Sequence, residues 1–260
     1  TGENYFNQTN LTDVTVIGSM GIDRDDVKQI DKVSGISQIE YGYLKDVSID
    51  DSNSSIRILS QPKGISKYII QEGNDLKNQT DILLSKNFED RYKIGDKISF
   101  IEKTGIDDKM VLKNHSYKLV GFVDSAEYIS YANMGASQAG DGNLTGFAYV
   151  MDDNFDSDYF MIARMRYEDT NNLNPFSDEY RRKIEAHTDE LNDRLKDRGS
   201  HRLATIKSNI QDEIDEGQAK IDDAQSKIND KQQKLDSAKD KIADGKDQLA
   251  DADKKLKDAK

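Results

Sequence analysis

Large aliphatic residues recur at every seventh position over the C-terminal part of the chain. This first series is Ile214, Ile221, Ile228, Leu235, Ile242, Leu249 and Leu256. A second series, mostly of small residues, follows three positions later: Gly217, Ala224, Lys231, Ala238, Gly245, Ala252 and Ala259. Most residues between the two series are Asp, Lys, Gln, Asn or Ser. A strict seven-residue repeat keeps one seam of a helix towards a partner helix and is typical of a left-handed coiled coil.

The second series shapes the prediction, because Ala and Gly insert almost no side chain between two helices. Small residues allow a close approach and favour an antiparallel pair. Gly217 and Gly245 each cost the helix about 1 kcal/mol relative to Ala. We therefore expect the helix to be weakly stable alone and to pair with a helix that returns from sequence beyond Lys260, or with a second protomer. The alternative is a solvated single helix held by charge pairs such as Asp223 with Lys227.

The seam of the predicted coiled coil combines both series. Its predicted contact residues are Ile214, Ile221, Ala224, Ile228, Leu235, Ala238, Ile242, Leu249, Ala252 and Leu256. Lys231 interrupts this seam with a charge.

Short apolar or alternating runs before the repeat predict a sheet. The predicted strands are Asp13–Ile17, one or two within Ile36–Ile49, Ser55–Ser60, Asp81–Leu84, Lys97–Ile101, Ser116–Asp124, Phe147–Met151 and Tyr159–Tyr167. The predicted fold class is α+β, with a mixed or antiparallel sheet in a head of residues 1–175 and a long helical arm at 176–260.

Turn and capping residues place the remaining elements of the head. Gly18–Gly21 predicts a turn, and Asp23 with Asp26 predicts the capped start of a short helix. Ser85 predicts the start of another helix that ends at Tyr92. Pro175 and Ser177 open a helix that continues into the arm, with one break at Gly199.

Composition and charge exclude several classes of protein. The net charge is −12 and most of it lies in the first 200 residues, which argues against a nucleic-acid partner. The chain has no cysteine, which excludes disulfides, thiolate catalysis and cysteine-based zinc sites. No stretch approaches the roughly 20 apolar residues of a membrane span.

The sequence offers little catalytic chemistry. His115, His187 and His201 are not spaced as metal ligands, and we expect all three to be solvated. The run Gly135–Ala139 is similar to a nucleophile elbow but lacks its second glycine. The alternating residues of Asp152–Asp158 lack the glycine and the final acid of a calcium loop. We therefore predict no catalytic, cofactor-binding or metal-binding residue.

The segment 130–146 is a candidate contact surface. It is rich in Gly, Ser and Asn and is longer than an ordinary connection. We predict a mobile loop that contacts a partner through Tyr131, Met134, Ser137 and Leu144, with Met134 as an exposed apolar contact.

Four stretches of the head together resemble one family, the FtsX-like, MacB-type ABC transporter permeases. The run Ile17–Ile30 followed by Val33–Ile36 is similar to the opening of their extracellular domains, a strand–helix–strand unit. Leu84–Ile98 resembles a strand, short helix, (K/R)xGD turn and strand. Leu119–Ser130 resembles a (V/I)VGxVxSPxYIS stretch, although Ala126 stands where proline is usual. Gly146–Val150 fits the strand that follows.

This resemblance spans about residues 13–167 and implies a function. Large Gram-positive members also carry a long coiled-coil insertion after the head. In this family the nucleotide site belongs to a separate cytoplasmic ATPase subunit, which moves the membrane part of the permease. The resemblance implies that this chain is not an enzyme, needs no cofactor and lies outside the cell as part of a cell-membrane protein.

The implied task is to couple ATP hydrolysis to an extracellular event. Candidate partners are a peptide, a lipoprotein or a cell-wall hydrolase. Two other classes remain open from the residues alone. A structural or adhesive surface protein with a coiled-coil stalk is the first, and a secreted hydrolase is the second.

Overall fold

The computed structural model describes residues 8–52, 54–104, 109–128, 130–131 and 133–258. They divide into two compact units, one up to Leu203 and one from Ala204. The sequence prediction placed the end of the head at residue 175. The first unit extends beyond this point and also contains the helical residues up to Leu203.

The first unit contains ten strands and the second unit is entirely helical among the described residues. The strands are β1 (Val14–Ile22), β2 (Ile36–Gly42), β3 (Leu44–Ile49), β4 (Ser55–Ser60), β5 (Tyr68–Gly73), β6 (Asp81–Ser85), β7 (Lys97–Ile101), β8 (Ser116–Ser125), β9 (Leu144–Val150) and β10 (Phe160–Tyr167). The α-helices are α1 (Arg24–Ile30), α2 (Asp178–Leu195) and α3 (Arg198–Asp258). Short 3-10 helices lie at Lys86–Phe88, Asp152–Asn154 and Glu168–Thr170.

Seven strands form a mixed sheet in the order β5-β8-β6-β9-β4-β3-β7. β4 runs parallel to β9, and β6 runs parallel to β8, while the other pairs are antiparallel. The sheet closes on itself because β7 also pairs with the first half of β8. The mixed sheet and the long helix confirm the predicted α+β class.

Alternation along the central strands supplies two hydrophobic clusters, one on each face of this sheet. On β9, Ala148 and Val150 belong to the first cluster, while Phe147 and Tyr149 belong to the second. On β6, Leu84 and Leu83 divide in the same way. Strands buried on both faces read as continuous apolar runs, which explains why DILL at the start of β6 predicted a buried strand.

Three strands form a second sheet in the order β1-β10-β2, and both pairs are antiparallel. A third cluster fills the space between this sheet and helices α1 and α2, and includes Ile30, Met165, Tyr167 and Leu191. The predicted N-cap of α1 is confirmed. The Asp23 carboxylate accepts from the backbone N–H of Asp25 and Asp26, and the Asp26 carboxylate accepts from the N–H of Asp23.

Several local predictions are wrong for identifiable reasons. Gly18–Gly21 is not a turn but part of β1, where the pairing with β10 shifts between Ile17 and Ile22. Gly21 takes a φ of +89° at this irregularity, which a glycine accommodates. The predicted helix from Ser85 to Tyr92 is only one 3-10 turn, because the Ser85 hydroxyl bonds the Asn87 side chain rather than capping a helix.

Other element boundaries also differ. The sequence did not predict β5, whose last four residues are exposed and carry no apolar alternation. The helix break lies at residues 196–197, so Gly199 belongs to the first turn of α3. Ile129 of the family-like stretch and Ala259 of the second series lie outside the described residues.

Candidate functional site

The first series of the heptad repeat forms an exposed apolar stripe along α3. Helix α3 has 61 residues, and the seven large aliphatics of the series are exposed by between 51% at Leu235 and 72% at Leu249. We call Ile214, Ile221, Ile228, Leu235, Ile242, Leu249 and Leu256 the stripe. Isolated exposed aliphatics are ordinary, whereas a row of this length is typical of an interaction surface. Partner contact through the stripe stays a prediction.

Polar contacts within the helix run beside the stripe with the same period. The side-chain amides of Gln211, Gln218, Gln225 and Gln232 each donate to the residue four positions later, at 2.8 to 3.0 Å. The predicted pair of Asp223 and Lys227 is present, with 2.6 Å between carboxylate and ammonium. Such pairs contribute only about 0.2–0.5 kcal/mol each. They support the helix without covering its apolar side chains.

The first turn of α3 is fastened to the β1–α1 unit. The Arg198 guanidinium donates from Nε to Asp26 Oδ1 at 2.5 Å and from Nη2 to Asp23 Oδ1 at 3.2 Å. Arg202 Nε donates to the Met20 carbonyl at 3.2 Å. Both carboxylates, those of Asp23 and Asp26, also cap the N-terminus of α1. The same two acids therefore bind the N-terminal ends of both α1 and α3.

An aromatic ring completes this contact. The Arg202 guanidinium lies 4.5 Å from the centre of the Tyr159 ring, a cation–π arrangement. Gly21 lies against the same ring, and a Cβ at this position would come within 2.1 Å of Tyr159 Cδ2. We call Asp23, Asp26, Tyr159, Arg198 and Arg202 the clamp. Because any side chain at position 21 would clash with the Tyr159 ring, a glycine is required there for the ring to contact Arg202.

The surroundings of Asp23 and Arg198 in the clamp favour the charged form of each side chain. Burial acts to raise the pKa of Asp23, but the N–H groups of Asp26 and Asp25 and the charges of Arg198 and Arg202 lower this pKa by more. The hydrogen bond to Asp26 raises the pKa of Arg198. Charge-assisted hydrogen bonds are about twice as strong as neutral ones, so the clamp is a firm joint for its size.

Sequence reasoning missed the basic half of the clamp. Arg198 and Arg202 are four residues apart, so they lie on one face of a helix. This spacing, together with the acidic cap at Asp23 and Asp26, is the signal in the sequence that could have indicated the contact. Nothing in the pattern indicated Tyr159.

Helix α2 docks on β10 through a second set of polar contacts. The His187 ring stacks on the Tyr167 ring with centroids 3.7 Å apart, and His187 Nε2 lies 3.0 Å from Asp169 Oδ1. Lys183 Nζ lies 2.9 Å from Asp169 Oδ2. The hydrogen bonds from Lys183 and His187 lower the pKa of Asp169. The expectation that His187 is solvated is therefore wrong, because the ring is packed against a buried strand.

The loop 130–146 folds onto the sheet rather than standing away from it. Met134 is only 9% exposed and Leu144 only 5% exposed, and both belong to the second cluster with Phe147. The prediction of Met134 as an exposed apolar contact is wrong, because its side chain fills the core. Leu144 lies in β9 rather than in the loop.

The other two predicted contact residues are more accessible. Tyr131 is 38% exposed, stacks on Phe147 with centroids 6.4 Å apart and hydrogen-bonds the Asp124 carboxylate. Ser137 is half-buried, and its N–H donates to the Gly142 carbonyl at 2.8 Å. Partner contact through Tyr131 and Ser137 stays a prediction.

Most of the candidate catalytic and metal-binding side chains make structural contacts instead. Within the described ranges, no group of three His, Asp or Glu side chains is arranged to hold a metal ion. Asp152 pairs with Lys63 at 2.7 Å, and Asn154 accepts from Asn114. His115 hydrogen-bonds the buried carboxylate of Glu102 at 2.8 Å.

In the part of the chain that the structure describes, no helix is both long and apolar enough to cross a membrane.

Comparisons with known proteins give remote structural likenesses. No family model matches the chain, and no curated protein sequence matches it. One similar solved structure is the extracellular domain of the noncanonic ABC-type transporter YknZ from Gram-positive bacteria, with a TM-score of 0.35 and 11% identity over 68% of this chain and 85% of the other. Another is a domain assigned to a permease protein from Porphyromonas gingivalis, with a TM-score of 0.31 and 12% identity over 65% of this chain and 70% of the other. Likenesses of this size do not by themselves establish a common function.

Proposed function

We propose that this chain is the extracellular domain of an FtsX-like, MacB-type ABC transporter permease in a cell membrane. Its task is to transmit motion from an ATPase on a separate cytoplasmic subunit to an extracellular event. That event is the export of a peptide or lipoprotein, resistance to an envelope-active peptide, or control of a cell-wall hydrolase. In this proposal the chain itself is not an enzyme.

The four family-like stretches support the proposal, because each falls on a regular element of the head. The first stretch covers the second half of β1, α1 and the first residue of β2. The second covers the end of β6, one 3-10 turn and the start of β7. The third includes most of β8, and the fourth covers most of β9. Segments chosen only by residue pattern thus coincide with an ordered series of strands.

The clamp is the observation that carries the mechanical part of the proposal. A domain that transmits motion needs rigid contacts between the elements along which the motion passes. Arg198 and Arg202 join the first two turns of α3 to the β1–α1 unit by three hydrogen bonds, and Arg202 adds a cation–π contact with Tyr159. A displacement of β1 or α1 is therefore passed to the first turn of the helix that bears the stripe.

Cysteine labelling in intact cells tests the location. The chain has no cysteine, so Ser226→Cys introduces a single thiol on an exposed position of α3. We expect a membrane-impermeant maleimide to label this thiol in intact cells that express the parent protein. Labelling only after lysis would contradict an extracellular domain.

An ATP-dependent distance measurement tests the transmission. Spin labels at Ser226→Cys and at Lys97→Cys, in the parent permease reconstituted with its ATPase, should show a distance that changes between ATP-bound and ADP-bound states. The double variant Arg198→Gln/Arg202→Gln should hydrolyse ATP but lose most of this change. Arg194→Gln is the matched control, because the Arg194 guanidinium donates to Glu190 on its own helix and not to a residue of the clamp.

The two rival classes give different results in these experiments. An adhesive surface protein would be labelled from outside but would show no response to ATP. A hydrolase would turn over peptidoglycan or chromogenic esters above the blank, which would contradict the non-enzymatic proposal.

A further inference from the structure

Lysines line both edges of the stripe. In heptad notation the stripe occupies position a, the second series position d, and the two edges positions g and e. The g edge is Glu213, Lys220, Lys227, Lys234, Lys241, Gln248 and Lys255, and the e edge is Gln218, Gln225, Gln232, Lys239, Lys246 and Asp253. All of these side chains are exposed. Within the described part of α3, the edges therefore carry seven lysines against two acids.

Most acidic residues of the same helix lie on the side away from the stripe. Positions b and c hold nine acids and one lysine, Lys257; the acids are Asp215, Glu216, Asp222, Asp223, Asp230, Asp236, Asp244, Asp251 and Asp258. Acids outnumber bases over the helix as a whole, so its basic edges do not follow from composition. The charges are sorted by face, with the positive ones next to the apolar residues.

This arrangement disfavours a second copy of the same helix as the partner. In a parallel in-register pair, g faces the following e of the other helix, which sets Lys234 against Lys239 and Lys241 against Lys246. The other g lysines with a described partner position face glutamine. In an antiparallel pair, g faces g and brings lysine against lysine. Charges at e and g decide which helices pair, and like charges there cost stability.

The d positions of the seam also disfavour a second copy of α3 as the partner. Lys231 stands at a d position. In a parallel pair of identical helices it would face the same lysine of the other copy, and in an antiparallel pair it would face a large aliphatic residue of the stripe. A buried ammonium needs a negative or polar partner. The other d positions, such as Ala224 and Ala238, leave room that large side chains of another helix can fill.

We infer that the stripe docks an amphipathic helix of different sequence, with Asp or Glu along both edges of its apolar seam, and not a second copy of α3. The partner places large aliphatic side chains over the Ala and Gly positions and an acidic group opposite Lys231. This inference goes beyond the transport role and depends on α3 alone. It would stand if the labelling experiments above failed.

Two synthetic helices of identical composition test the inference. Both carry large aliphatics at a and d over six heptads. The first has Glu at e and g with Lys at b and c, and the second has these charges exchanged. Titrated into the 260-residue chain in a calorimeter, the first should bind at least tenfold more tightly. The difference should shrink from 50 to 500 mM salt, because salt screens exposed charge pairs.

Variants of the chain locate the binding. Leu235→Asp should abolish binding of both helices. Lys227→Glu/Lys234→Glu/Lys241→Glu leaves four lysines against five acids on the two edges and should abolish the preference, with circular dichroism at 222 nm as the check that α3 remains helical. If that variant loses its helix, the corresponding Lys→Gln variant should reduce the preference, because it leaves four lysines against two acids.

Three outcomes would overturn the inference. Equal affinity for both helices would show that charge does not select the partner. An unchanged preference in the helical lysine variants would show that these edges are not the contact. Self-association of the wild-type chain at micromolar concentration that Leu235→Asp abolishes would show that a second copy is the occupant.

Discussion

The head and the long helix use the same aliphatic residues in opposite ways. Ile58 and Ile82 in the head are fully buried, whereas Ile228 on α3 is 59% exposed. Burying a side chain of this size is worth about 1.5–3 kcal/mol relative to exposure. The head obtains this stabilisation from its own strands, and α3 obtains little of it within the described chain. The head therefore buries its aliphatic residues within the described chain. Helix α3 leaves the stripe exposed, as would be expected of one helix of a pair.

The aromatic residues make this comparison easy to measure. All 12 tyrosines and all eight phenylalanines precede residue 181. Near-ultraviolet circular dichroism therefore reports the head alone, while the signal at 222 nm is dominated by the helices. Urea unfolding followed by both probes gives a separate transition for each region.

Ion pairs should separate the two regions most strongly. Arg164 is 1% exposed and donates to Glu127 at 2.6 and 3.0 Å. Arg164→Ala removes a buried guanidinium and leaves the Glu127 carboxylate, whose side chain is 13% exposed, without its charge partner. It should cost the head about 3–5 kcal/mol in the near-ultraviolet transition. Lys227→Ala removes the exposed pair with Asp223 and should cost about 0.5 kcal/mol or less. A loss below 1 kcal/mol for Arg164→Ala would contradict this account of the head.

One matched substitution in each region tests burial directly. Ile58→Ala should lower the free energy of unfolding of the head by about 2–5 kcal/mol, because it opens a cavity in a closed cluster. Ile228→Ala removes the same atoms from an exposed position and should change unfolding by about 0.5 kcal/mol or less in the isolated chain. Similar losses for both variants would mean that the stripe is already covered.

Glycine substitutions should have opposite signs in the two regions. A Cβ at Gly146 would lie 2.3 Å from the Phe88 ring and 2.7 Å from Ser85 Oγ. Gly146→Ala should therefore destabilise the head by about 1–3 kcal/mol. Gly245 has no atom within 4 Å of a built Cβ, so Gly245→Ala should stabilise α3 by about 1 kcal/mol. A destabilised α3 in the Gly245 variant would indicate a contact that needs the missing side chain.

Acid titration of Asp23 in the clamp should give the smallest effect on the stability of the head. Because the pKa of Asp23 is lowered, its stabilising contribution is present above the ordinary value of 3.8 and is lost as the pH falls through the lowered pKa. Carboxyl NMR titration should give a midpoint below 3.8 for Asp23, and Arg198→Gln should raise it towards 3.8. A midpoint that Arg198→Gln leaves unchanged would show that Arg198 is not a partner in solution, and Arg194→Gln is the control.

The sequence predicts local features of this fold better than contacts distant along the chain. The acidic cap at Asp23 and the heptad series depend on residues within one or two turns, so their patterns are readable. The burial of Met134 depends on a loop folding over Phe147, and no short-range pattern records this. The same holds for Tyr159, which meets Arg202 across 43 positions of sequence. Strand β5 was missed because an edge strand with exposed polar residues has no apolar period.

Hydrogen exchange of residues 204–258 tests the central claim that α3 is half of an interface. The exchange rates would be compared between the isolated chain at low micromolar concentration and the membrane-embedded permease that the proposed function requires as the parent protein. We predict that amides around Ile228, Leu235 and Ile242 exchange at least tenfold more slowly in the parent protein, while strands such as β6 and β9 exchange equally in both. Equal rates for α3 in the two samples would contradict the claim, because they would show that nothing covers the stripe in the assembled protein.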